Sequence, residues 1–443
     1  MYGGRGRNVG RHARMQPNEL LLRERQRRGW TREYVAGQIG IADAKTIGRW
    51  ERGVAFPSAF FLQKLCELYA RLPQELGLFH DDPPLYPCPI CTHSCMHAFP
   101  QVIYDPALPL SQKNVLERQT LLRSLKTCLC DQELPACAAL YGLPGIGKTS
   151  LAITMARDQE ITAHFCDGTL WASLGPSPDL VALLRHWGRV LGINAIFLER
   201  SENPETLAML LRATIGPRRL LLLLDDAWTL EDAQTLQVGG PHCAYLLTTR
   251  IPALAYYFAN IVSFQVPELS LEESLDLLAS FIPGIREERY QSLRPLVSAT
   301  GGLPLALCLL GRYLQAQANG RQPRRLQHAL EYLSHASARL QLRMPSAFGE
   351  PGATCSLREC IERTTSRLDV CALRTLAMLA TLPTKPLSFS EEVALAASVS
   401  VGDGATLDLL VDAGLLEVND QGRYLLHPVI ADYARTCHKS YGG

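Results

Sequence analysis

The chain has 443 residues, of which 47% are hydrophobic and 20% are charged, and its formal net charge is +1. This length predicts about three domains. Because the net charge is close to zero, it does not indicate a class of binding partner. The chain has 14 cysteines and no apolar signal-peptide core at its N-terminal end, and its most apolar run, the leucines at 220–224, is far too short to span a bilayer. We therefore expect a cytoplasmic protein with reduced thiols and no membrane span.

Residues 1–16 form a basic tail, and residues 17–80 carry helical periodicity. Thr31 is placed to cap one helix, and a turn through Gly40 leads into a second helix that starts near Asp43. A helix, a glycine-containing turn and a second helix form the geometry that lays a recognition helix in the DNA major groove. The stretch KTIGRWERGVAFPS resembles the repressor-like helix-turn-helix family, which implies an all-α, DNA-binding head.

The arginine excess of this head supports contact with nucleic acid or another anionic surface. We expect Ile47, Trp50 and Phe56 to lie in its core. The second helix, however, starts with Ala42, Asp43 and Ala44, which offer few groups that read bases. Binding of a protein partner by the same fold therefore remains the alternative. The residues that we expect to contact DNA are Arg27, Arg28, Arg32, Lys45, Thr46 and Arg49.

Residues 81–113 are rich in proline and cysteine, and we expect a linker that is too broken for regular structure. The segment PCPICTHSCMH brings five thiol and imidazole side chains into one short stretch. A Cys-Pro-x-Cys pair is half of a zinc site, but structural zinc sites usually take their second pair from further along the chain. A thiol-bearing linker is therefore the favoured interpretation, and the alternative is a zinc site formed by Cys88, Cys91, Cys95 and His97.

Residues 114–265 alternate short apolar runs with helical patterns, which predicts a parallel sheet covered on both faces. Within them, GLPGIGKTS lies between a predicted strand and a predicted helix. Glycines at this spacing let backbone N–H groups surround a polyphosphate at the start of a helix. Lys148 is expected to reach the β- and γ-phosphates and Thr149 to bind Mg²⁺. The predicted phosphate loop comprises Gly142, Gly145, Ile146, Gly147, Lys148, Thr149 and Ser150.

Two further strands of this region end in polar residues. RRLLLLLDDAW ends in Asp225 and Asp226, and AYLLTTR ends in Arg250. A phosphate-loop fold needs a carboxylate at the end of a neighbouring strand to hold Mg²⁺, so we assign Asp225 to the metal and Asp226 to the attacking water. Arg250 is a candidate contact of the γ-phosphate. The alternative for Asp225 and Asp226 is that they end the strand and cap the next helix, and the alternative for Arg250 is a surface salt-bridge arginine.

The C-terminal part is predicted to be largely helical. Residues 266–336 show helical patterns only, which predicts a helical bundle, and residues 337–356 are a second linker. Residues 357–443 combine helices with a terminal strand pair, LLEVND and QGRYLLH, which is typical of a winged helix. His427 follows the last strand, and on spacing alone it is a buried corner histidine.

The ordered series GLPGIGKT, LLLLLDDAW, LLTTR, GGLPLAL and YLLHPVIADYA resembles the NB-ARC family of STAND-class signalling ATPases over residues 114–443. The resemblance implies that residues 266–336 correspond to the ARC1 domain. It also implies that Pro304 lies against adenine, that Arg250 senses the γ-phosphate and that His427 holds the ADP β-phosphate in a closed state. Arg118 matches an arginine of the family's segment before the phosphate loop, so the resemblance implies that it is a further nucleotide contact.

Together these observations predict a bacterial, ATP/ADP-switched transcription regulator that binds DNA and Mg²⁺, self-associates in the ATP state and hydrolyses ATP slowly. The first alternative is an NLR-like defence or stress receptor whose helix-turn-helix head recruits a protein partner. The second is an ATPase with constitutive turnover. DNA binding, nucleotide occupancy and unstimulated hydrolysis distinguish the three.

Overall fold

A computed structural model describes residues 18–109 and 118–441, apart from the segments 42, 56, 58, 70, 72–75, 79–85, 88–95, 98–101, 131–135, 260–261, 283–286, 319–322, 346–353 and 399–400. Among the helices that it describes, none has both the length and the apolar character needed to cross a bilayer.

The N-terminal head is all-helical, as predicted. Thr31 caps the second helix by accepting a hydrogen bond from the Tyr34 N–H, and Gly40 ends it with φ 77°. Ile47 and Trp50 lie in the core of the head, as expected from the sequence, whereas Phe56 lies outside the described residues. The helices are α1 (Glu19–Arg27), α2 (Arg32–Ile39), α3 (Lys45–Glu51) and α4 (Ala59–Tyr69).

The sheet has six parallel strands in the order β3-β5-β6-β7-β4-β8. Two short strands of the preceding segment pair separately and antiparallel, namely β1 (Tyr86–Pro87) and β2 (Met96–His97). The strands of the sheet are β3 (Ile103–Tyr104), β4 (Ala136–Tyr141), β5 (Gly168–Ser173), β6 (Leu220–Ala227), β7 (Ala244–Thr249) and β8 (Ser263–Gln265).

Helices cover both faces of this sheet, because its strands are apolar on both sides. Buried residues of β4, β6 and β7 belong alternately to two hydrophobic clusters, one on each face. The helices are α5 (Gln119–Cys130), α6 (Lys148–Ala156), α7 (Gln159–His164), α8 (Leu180–Val190), α9 (Ala195–Arg200), α10 (Pro204–Ile215), α11 (Leu230–Thr235) and α12 (Pro252–Ala259).

One expectation for the linker is wrong, because residues 103–104 form an edge strand of the sheet. The buried Asp105 fixes this strand: its carboxylate accepts a hydrogen bond from the Trp171 N–H at 2.9 Å and lies 2.8 Å from His186 Nε2. A strand of two residues is too short to produce a periodic signal, and the contacts that hold it lie far along the chain.

The C-terminal region is largely helical. Five helices follow the sheet, namely α13 (Leu271–Phe281), α14 (Glu287–Thr300), α15 (Pro304–Ala318), α16 (Pro323–Ser334) and α17 (Ala336–Gln341). The last part contains two antiparallel strand pairs, β9 with β10 and β11 with β12. Its elements are β9 (Arg343–Pro345), β10 (Thr354–Ser356), α18 (Leu357–Thr365), α19 (Val370–Leu379), α20 (Glu391–Ser398), α21 (Gly404–Asp412), β11 (Glu417–Val418), β12 (Tyr424–Leu425) and α22 (Pro428–Tyr441).

Candidate functional site

The predicted phosphate loop joins β4 to α6. Gly142, Gly145 and Gly147 have φ values of 139°, 80° and 100°, which only glycine adopts without strain. Gly145 is also confined sterically, since a Cβ atom there would lie 2.8 Å from Cβ of Leu305. Within the loop the side chain of Ile146 is buried, and Ser150 lies in the first turn of α6. The loop thus leads directly into a helix N-terminus, where backbone N–H groups favour anions.

Lys148 folds back onto this loop. Its Nζ donates hydrogen bonds to the carbonyl oxygens of Gly142 at 2.7 Å and Leu143 at 3.0 Å. Burial lowers the pKa of Lys148 to about 7, and the Arg250 charge adds to this, whereas Asp226 and Asp225 oppose it. Among the described residues, the hydrogen-bond acceptors of this buried ammonium group are two neutral carbonyls, and an anionic oxygen would bind it more strongly.

Asp225 lies at the end of β6, within reach of two hydroxyl groups. Thr149 Oγ1 donates to its carboxylate at 2.8 Å, and Thr248 Oγ1 at 2.6 Å. Burial raises the pKa of Asp225 to about 6, against the opposing effect of both hydrogen bonds. The structure thus brings together the two predicted Mg²⁺ ligands, Thr149 and Asp225, and adds Thr248, which the sequence indicated only as the polar end of a strand.

Asp226 has φ 52°, the one positive value of a non-glycine residue in the described part of the chain. The β6–β7 register shifts between Leu224 and Ala227, so Asp226 lies at an irregular point of the ladder. Its backbone N–H donates to Thr248 Oγ1 at 2.9 Å. Backbone strain of this kind concentrates at functional sites, which supports a role for Asp226 beyond ending the strand.

Arg250 connects this carboxylate to the C-terminal region. Its Nε donates to Asp226 Oδ1 at 3.2 Å, and its Nη1 donates to the Cys360 carbonyl at 2.7 Å and to Thr364 Oγ1 at 3.2 Å. Cys360 and Thr364, which accept the two hydrogen bonds from Nη1, both belong to α18. The sequence predicted Arg250 beside the nucleotide but contained no signal for its partners on α18, because Cys360 and Thr364 lie more than a hundred residues away.

Trp228, three residues after Asp225, is buried next to two guanidinium groups. The Cζ atom of Arg250 lies 5.0 Å from the centre of its ring and that of Arg367 lies 4.4 Å away. Arg367 follows α18 and also donates to the Pro176 carbonyl at 2.7 Å. These cation–π contacts give a second connection between the sheet domain and the C-terminal region, and the sequence reasoning missed them.

A turn at residues 301–305 connects the phosphate loop to His427. Gly301 and Gly302 have φ values of 56° and 71°. Pro304 begins α15, and the Leu305 N–H donates to the Gly145 carbonyl at 3.1 Å. At the other end of the turn, a Cβ atom on Gly301 would lie 2.7 Å from His427 Nε2. The turn thus contacts the phosphate loop at one end and the C-terminal histidine at the other.

His427 is buried and neutral. Its Nδ1 accepts a hydrogen bond from the Val429 N–H at 3.2 Å, which leaves Nε2 as the donor to the Gly301 carbonyl at 3.2 Å. Burial lowers the pKa of His427 to about 4; the Glu268 carboxylate opposes this shift, and the Lys385 charge adds to it. The corner position predicted for His427 is therefore confirmed by its burial, whereas contact with a nucleotide stays a prediction.

Lys385 lies in an ion-pair cluster that no sequence pattern predicted. Its Nζ lies 2.6 Å from Glu268 Oε1 and 2.7 Å from Glu417 Oε1. Gln265 Nε2 donates to the same Glu417 at 2.9 Å. Burial lowers the pKa of Lys385, but Glu417 and Glu268 more than offset this, so the pKa lies above its ordinary value. We call Glu268, Lys385 and Glu417 the clasp, since they join the end of the sheet domain to β11.

Arg118 provides the clearest sign that the site is built for a ligand. Its Nη1 donates to the Ile146 carbonyl at 3.0 Å, beside the phosphate loop. Its Nη2 is buried without a hydrogen-bond partner, and burial lowers the pKa of the guanidinium. A buried donor without an acceptor is costly, and an acceptor supplied by a nucleotide would satisfy it.

The predicted DNA-binding residues divide into two groups. Lys45 and Arg49 are exposed on α3 and Thr46 is partly exposed between them. The arginines near the first two helices bind other groups of the head. Arg27 pairs with Glu24, and Arg32 pairs with Glu51. Arg28 donates to the carbonyls of Leu68 and Tyr69. Lys45 and Arg49 are therefore the exposed basic side chains of α3, and their contact with DNA stays a prediction.

The alternative zinc site falls mostly outside the described residues, since Cys88, Cys91 and Cys95 are among those that are not described. His97 lies on β2, opposite Tyr86. In the part of the chain that the structure describes, no group of three or more His, Cys, Asp or Glu side chains could hold a metal ion. Both the zinc site and the Mg²⁺ site stay predictions.

Comparisons with known proteins agree with this geometry. Residues 118–284 match the NB-ARC domain, and residues 19–79 match a helix-turn-helix domain. The chain is 28% identical to the regulatory protein AfsR of Streptomyces griseus over 345 residues, which are 74% of this chain and 33% of that protein. It is 27% identical to the disease resistance protein RGA2 of Solanum bulbocastanum over 45% of this chain and 21% of that protein.

It is also 29% identical to apoptotic protease-activating factor 1 of Danio rerio, over 45% of this chain and 16% of that protein. The chain thus spans about a third of the AfsR sequence and a smaller share of the other two proteins. The NB-ARC match and the phosphate-loop geometry together identify a nucleotide-binding domain.

Proposed function

We propose that this chain, an NB-ARC protein of the STAND class with a helix-turn-helix domain at its N-terminal end, is a transcription regulator switched by ATP and ADP. The observation that carries the proposal is the bonding of Arg250. It lies at the end of β7 beside Asp226, yet it donates two hydrogen bonds to α18. A group that responds to the nucleotide is thereby also part of the contact that holds the C-terminal region.

The nucleotide would occupy the loop between β4 and α6. Its phosphates would replace the Gly142 and Leu143 carbonyls as partners of Lys148, because a charged acceptor binds the ammonium group more strongly than a carbonyl does. Thr149 and Asp225 would hold Mg²⁺, which supplies positive charge to the β- and γ-phosphates. Arg118 and Pro304 would contact the remainder of the nucleotide.

The two nucleotides would differ in what they do to Arg250. A γ-phosphate competes with the Cys360 carbonyl and Thr364 for the guanidinium, whereas ADP leaves these hydrogen bonds in place. We interpret residues 357–443, with their helices and the β11–β12 hairpin, as a winged helix that is closed by ADP through His427. Differential contacts of this kind are what a nucleotide needs in order to shift a conformational equilibrium.

Hydrolysis would return the protein to the closed state. Asp226, in its strained conformation, would orient the attacking water, and Asp225 would stay with the metal. Because the output is a conformational state, slow turnover suffices. In the open state the chain would self-associate, and the heads would bind DNA through Lys45, Thr46 and Arg49, with the arginines of the first helices near the phosphate backbone.

The test begins with the nucleotide that copurifies with the full chain. We expect ADP in the wild type, none in Lys148→Ala, and in His427→Ala a loss of ADP retention with a shift towards oligomer. Lys126→Ala and His328→Ala are matched controls, since both residues lie away from the site. Rapid unstimulated hydrolysis that survives removal of residues 357–443 would instead support the constitutive ATPase, and absence of DNA binding at low salt would favour a head that recruits protein.

A further inference from the structure

A cavity of about 660 Å³ lies in the C-terminal region, between α18, α19 and α22. This volume is within the range of about 300 to 1,000 Å³ that is typical of small-molecule sites. None of the residues that line it belongs to the nucleotide site. We propose that this cavity binds a small organic acid with an apolar body, such as a medium-chain carboxylic acid.

The body of the ligand is indicated by the cavity wall. Most of the lining side chains are aliphatic, and two of them, Leu376 and Ala434, are 1% and 4% exposed. They come from two different helices, α19 and α22, so an apolar ligand would be covered from two sides. Burial of its methylene groups against these side chains would favour binding. The other aliphatic lining residues include Leu368, Val370, Leu373, Met378 and Val401.

The acidic group of the ligand is indicated by the charges at the cavity. Arg358, Glu362 and Arg374 line it, which leaves one positive charge in excess. Arg358 Nε pairs with Glu362 at 2.7 Å. Arg374 is exposed, and among the interactions of the described residues it has no ion pair or hydrogen bond. Its guanidinium is therefore available to a carboxylate, which it can bind through two parallel hydrogen bonds.

Two hydroxyl groups add polar partners deeper in the wall. Thr365 Oγ1 and Tyr433 Oη form a hydrogen bond of 2.9 Å, and both residues line the cavity. Thr365 Oγ1 also has the Glu362 carbonyl as an acceptor at 3.4 Å, so the hydroxyl hydrogen of Tyr433 can turn from Thr365 towards a ligand. A single charged group with a few polar partners on an otherwise apolar wall is typical of sites for amphipathic ligands.

The position of the cavity connects it to Arg250. Helix α18 contributes Glu362 and Thr365 to the cavity wall, and it also provides the Cys360 carbonyl and Thr364 Oγ1 that accept from Arg250. A ligand that displaces this helix would weaken the Arg250 contact and so favour the open state. This regulatory step rests on the proposed nucleotide switch, whereas the binding site itself does not.

The experiment measures binding of the fluorescent amphipathic anion 1-anilinonaphthalene-8-sulfonate to the full chain, with decanoate as competitor. We expect one saturable site from which decanoate displaces the dye. Arg374→Gln and Val370→Glu should each weaken binding of the dye about tenfold or more. The first removes the charged donor, and the second adds a negative charge that repels the anionic dye. Their matched controls, Arg325→Gln on α16 and Val393→Glu on α20, should bind as the wild type does.

The outcomes separate the site from the switch. Absence of saturable binding, or equal binding by all four variants and the wild type, would overturn the proposed site. If decanoate binds but leaves the rate of ADP release unchanged, the link through α18 is refuted. Retention of nucleotide by Lys148→Ala would instead overturn the proposed function, and the dye-binding results would not be affected by it.

Discussion

Arg250 Nη1 donates a hydrogen bond to the carbonyl oxygen of Cys360 at 2.7 Å, although 110 residues separate the two in sequence. The same guanidinium donates to Asp226 and lies over the ring of Trp228. Few side chains could replace it, because a lysine would supply neither the planar fork nor the same set of donors. The contact between the sheet domain and α18 therefore depends strongly on one residue.

Replacement of Arg250 by Gln should loosen α18. The change removes buried hydrogen bonds from a charged donor, each worth about 1.5 to 3 kcal/mol. We expect faster amide hydrogen exchange in α18 and faster release of ADP. Thr364→Val is the graded comparison, because it removes only the 3.2 Å hydrogen bond and keeps the one to Cys360. Unchanged exchange in α18 for Arg250→Gln would show that this contact does not hold the helix.

His427 should make the folded protein sensitive to acid. Its pKa is about 4 in the folded protein against an ordinary value of 6.5. Between these pH values the folded state binds fewer protons than the unfolded state. The free energy of unfolding therefore decreases as the pH falls from 6.5 towards 4. At pH 5 the loss is about 2 kcal/mol.

The check compares urea unfolding at pH 7 and pH 5 for the wild type and His427→Gln. Gln keeps an amide that can donate to the Gly301 carbonyl but does not titrate, and the titrations of other groups cancel in the difference. We expect the variant to lose less stability between the two pH values. An equal loss in both proteins would contradict the burial of a neutral imidazole.

Lys385→Met should destabilise the contact between β11 and the sheet domain. It leaves Glu268 and Glu417 facing each other without the cation that lies within 2.7 Å of both. Removal of one partner from a fully buried pair costs about 3 to 5 kcal/mol, and because these side chains are partly exposed we expect about 1 to 3 kcal/mol.

The control is the double variant Lys385→Met with Glu417→Gln. It removes one of the two repelling carboxylates, so it should recover part of the lost stability and part of the protection of β11 from hydrogen exchange. A double variant that is no more stable than the single one would show that the clasp does not act through charge.

Lys45→Ala and Arg49→Ala should weaken DNA binding by the full chain. Both residues are exposed on α3, and each phosphate contact that is lost should reduce the slope of log K against log salt by about one. Fluorescence anisotropy with labelled duplexes at several salt concentrations measures this. Arg23→Ala removes an equally basic and exposed side chain from α1 and is expected to have little effect; equal losses in all three variants would point to nonspecific attraction only.

The sequence predicted those parts of the site that depend on local pattern. The glycine loop and the neighbourhood of Thr149 and Asp225 are predictable because glycine spacing and strand ends are readable within a few residues, whereas their binding of nucleotide and Mg²⁺ stays a prediction. The parallel sheet is confirmed by the strand pairing. Lys148 is where the loop motif places it, although its present partners are loop carbonyls.

Contacts between distant segments were not predictable in the same way. Lys385 lies 117 residues from Glu268 and 32 from Glu417, and a lone lysine between a threonine and a proline has no periodic or motif signal. Arg367 and Trp228 are likewise ordinary surface and strand-end residues until the fold brings them together. Charge pairing across domains depends on tertiary geometry, which a single sequence does not encode locally.

The turn at residues 301–305 also limits how the proposed nucleotide switch can vary during evolution. A Cβ atom on Gly301 would lie 2.7 Å from His427, and one on Gly302 would lie 2.3 Å from the Leu269 carbonyl oxygen. With no side chains to exchange at these two positions, mutation cannot adjust the strength of this connection in small steps. We therefore expect related proteins to differ in activation threshold through the clasp and the Arg250 contacts, where side chains are available for gradual change.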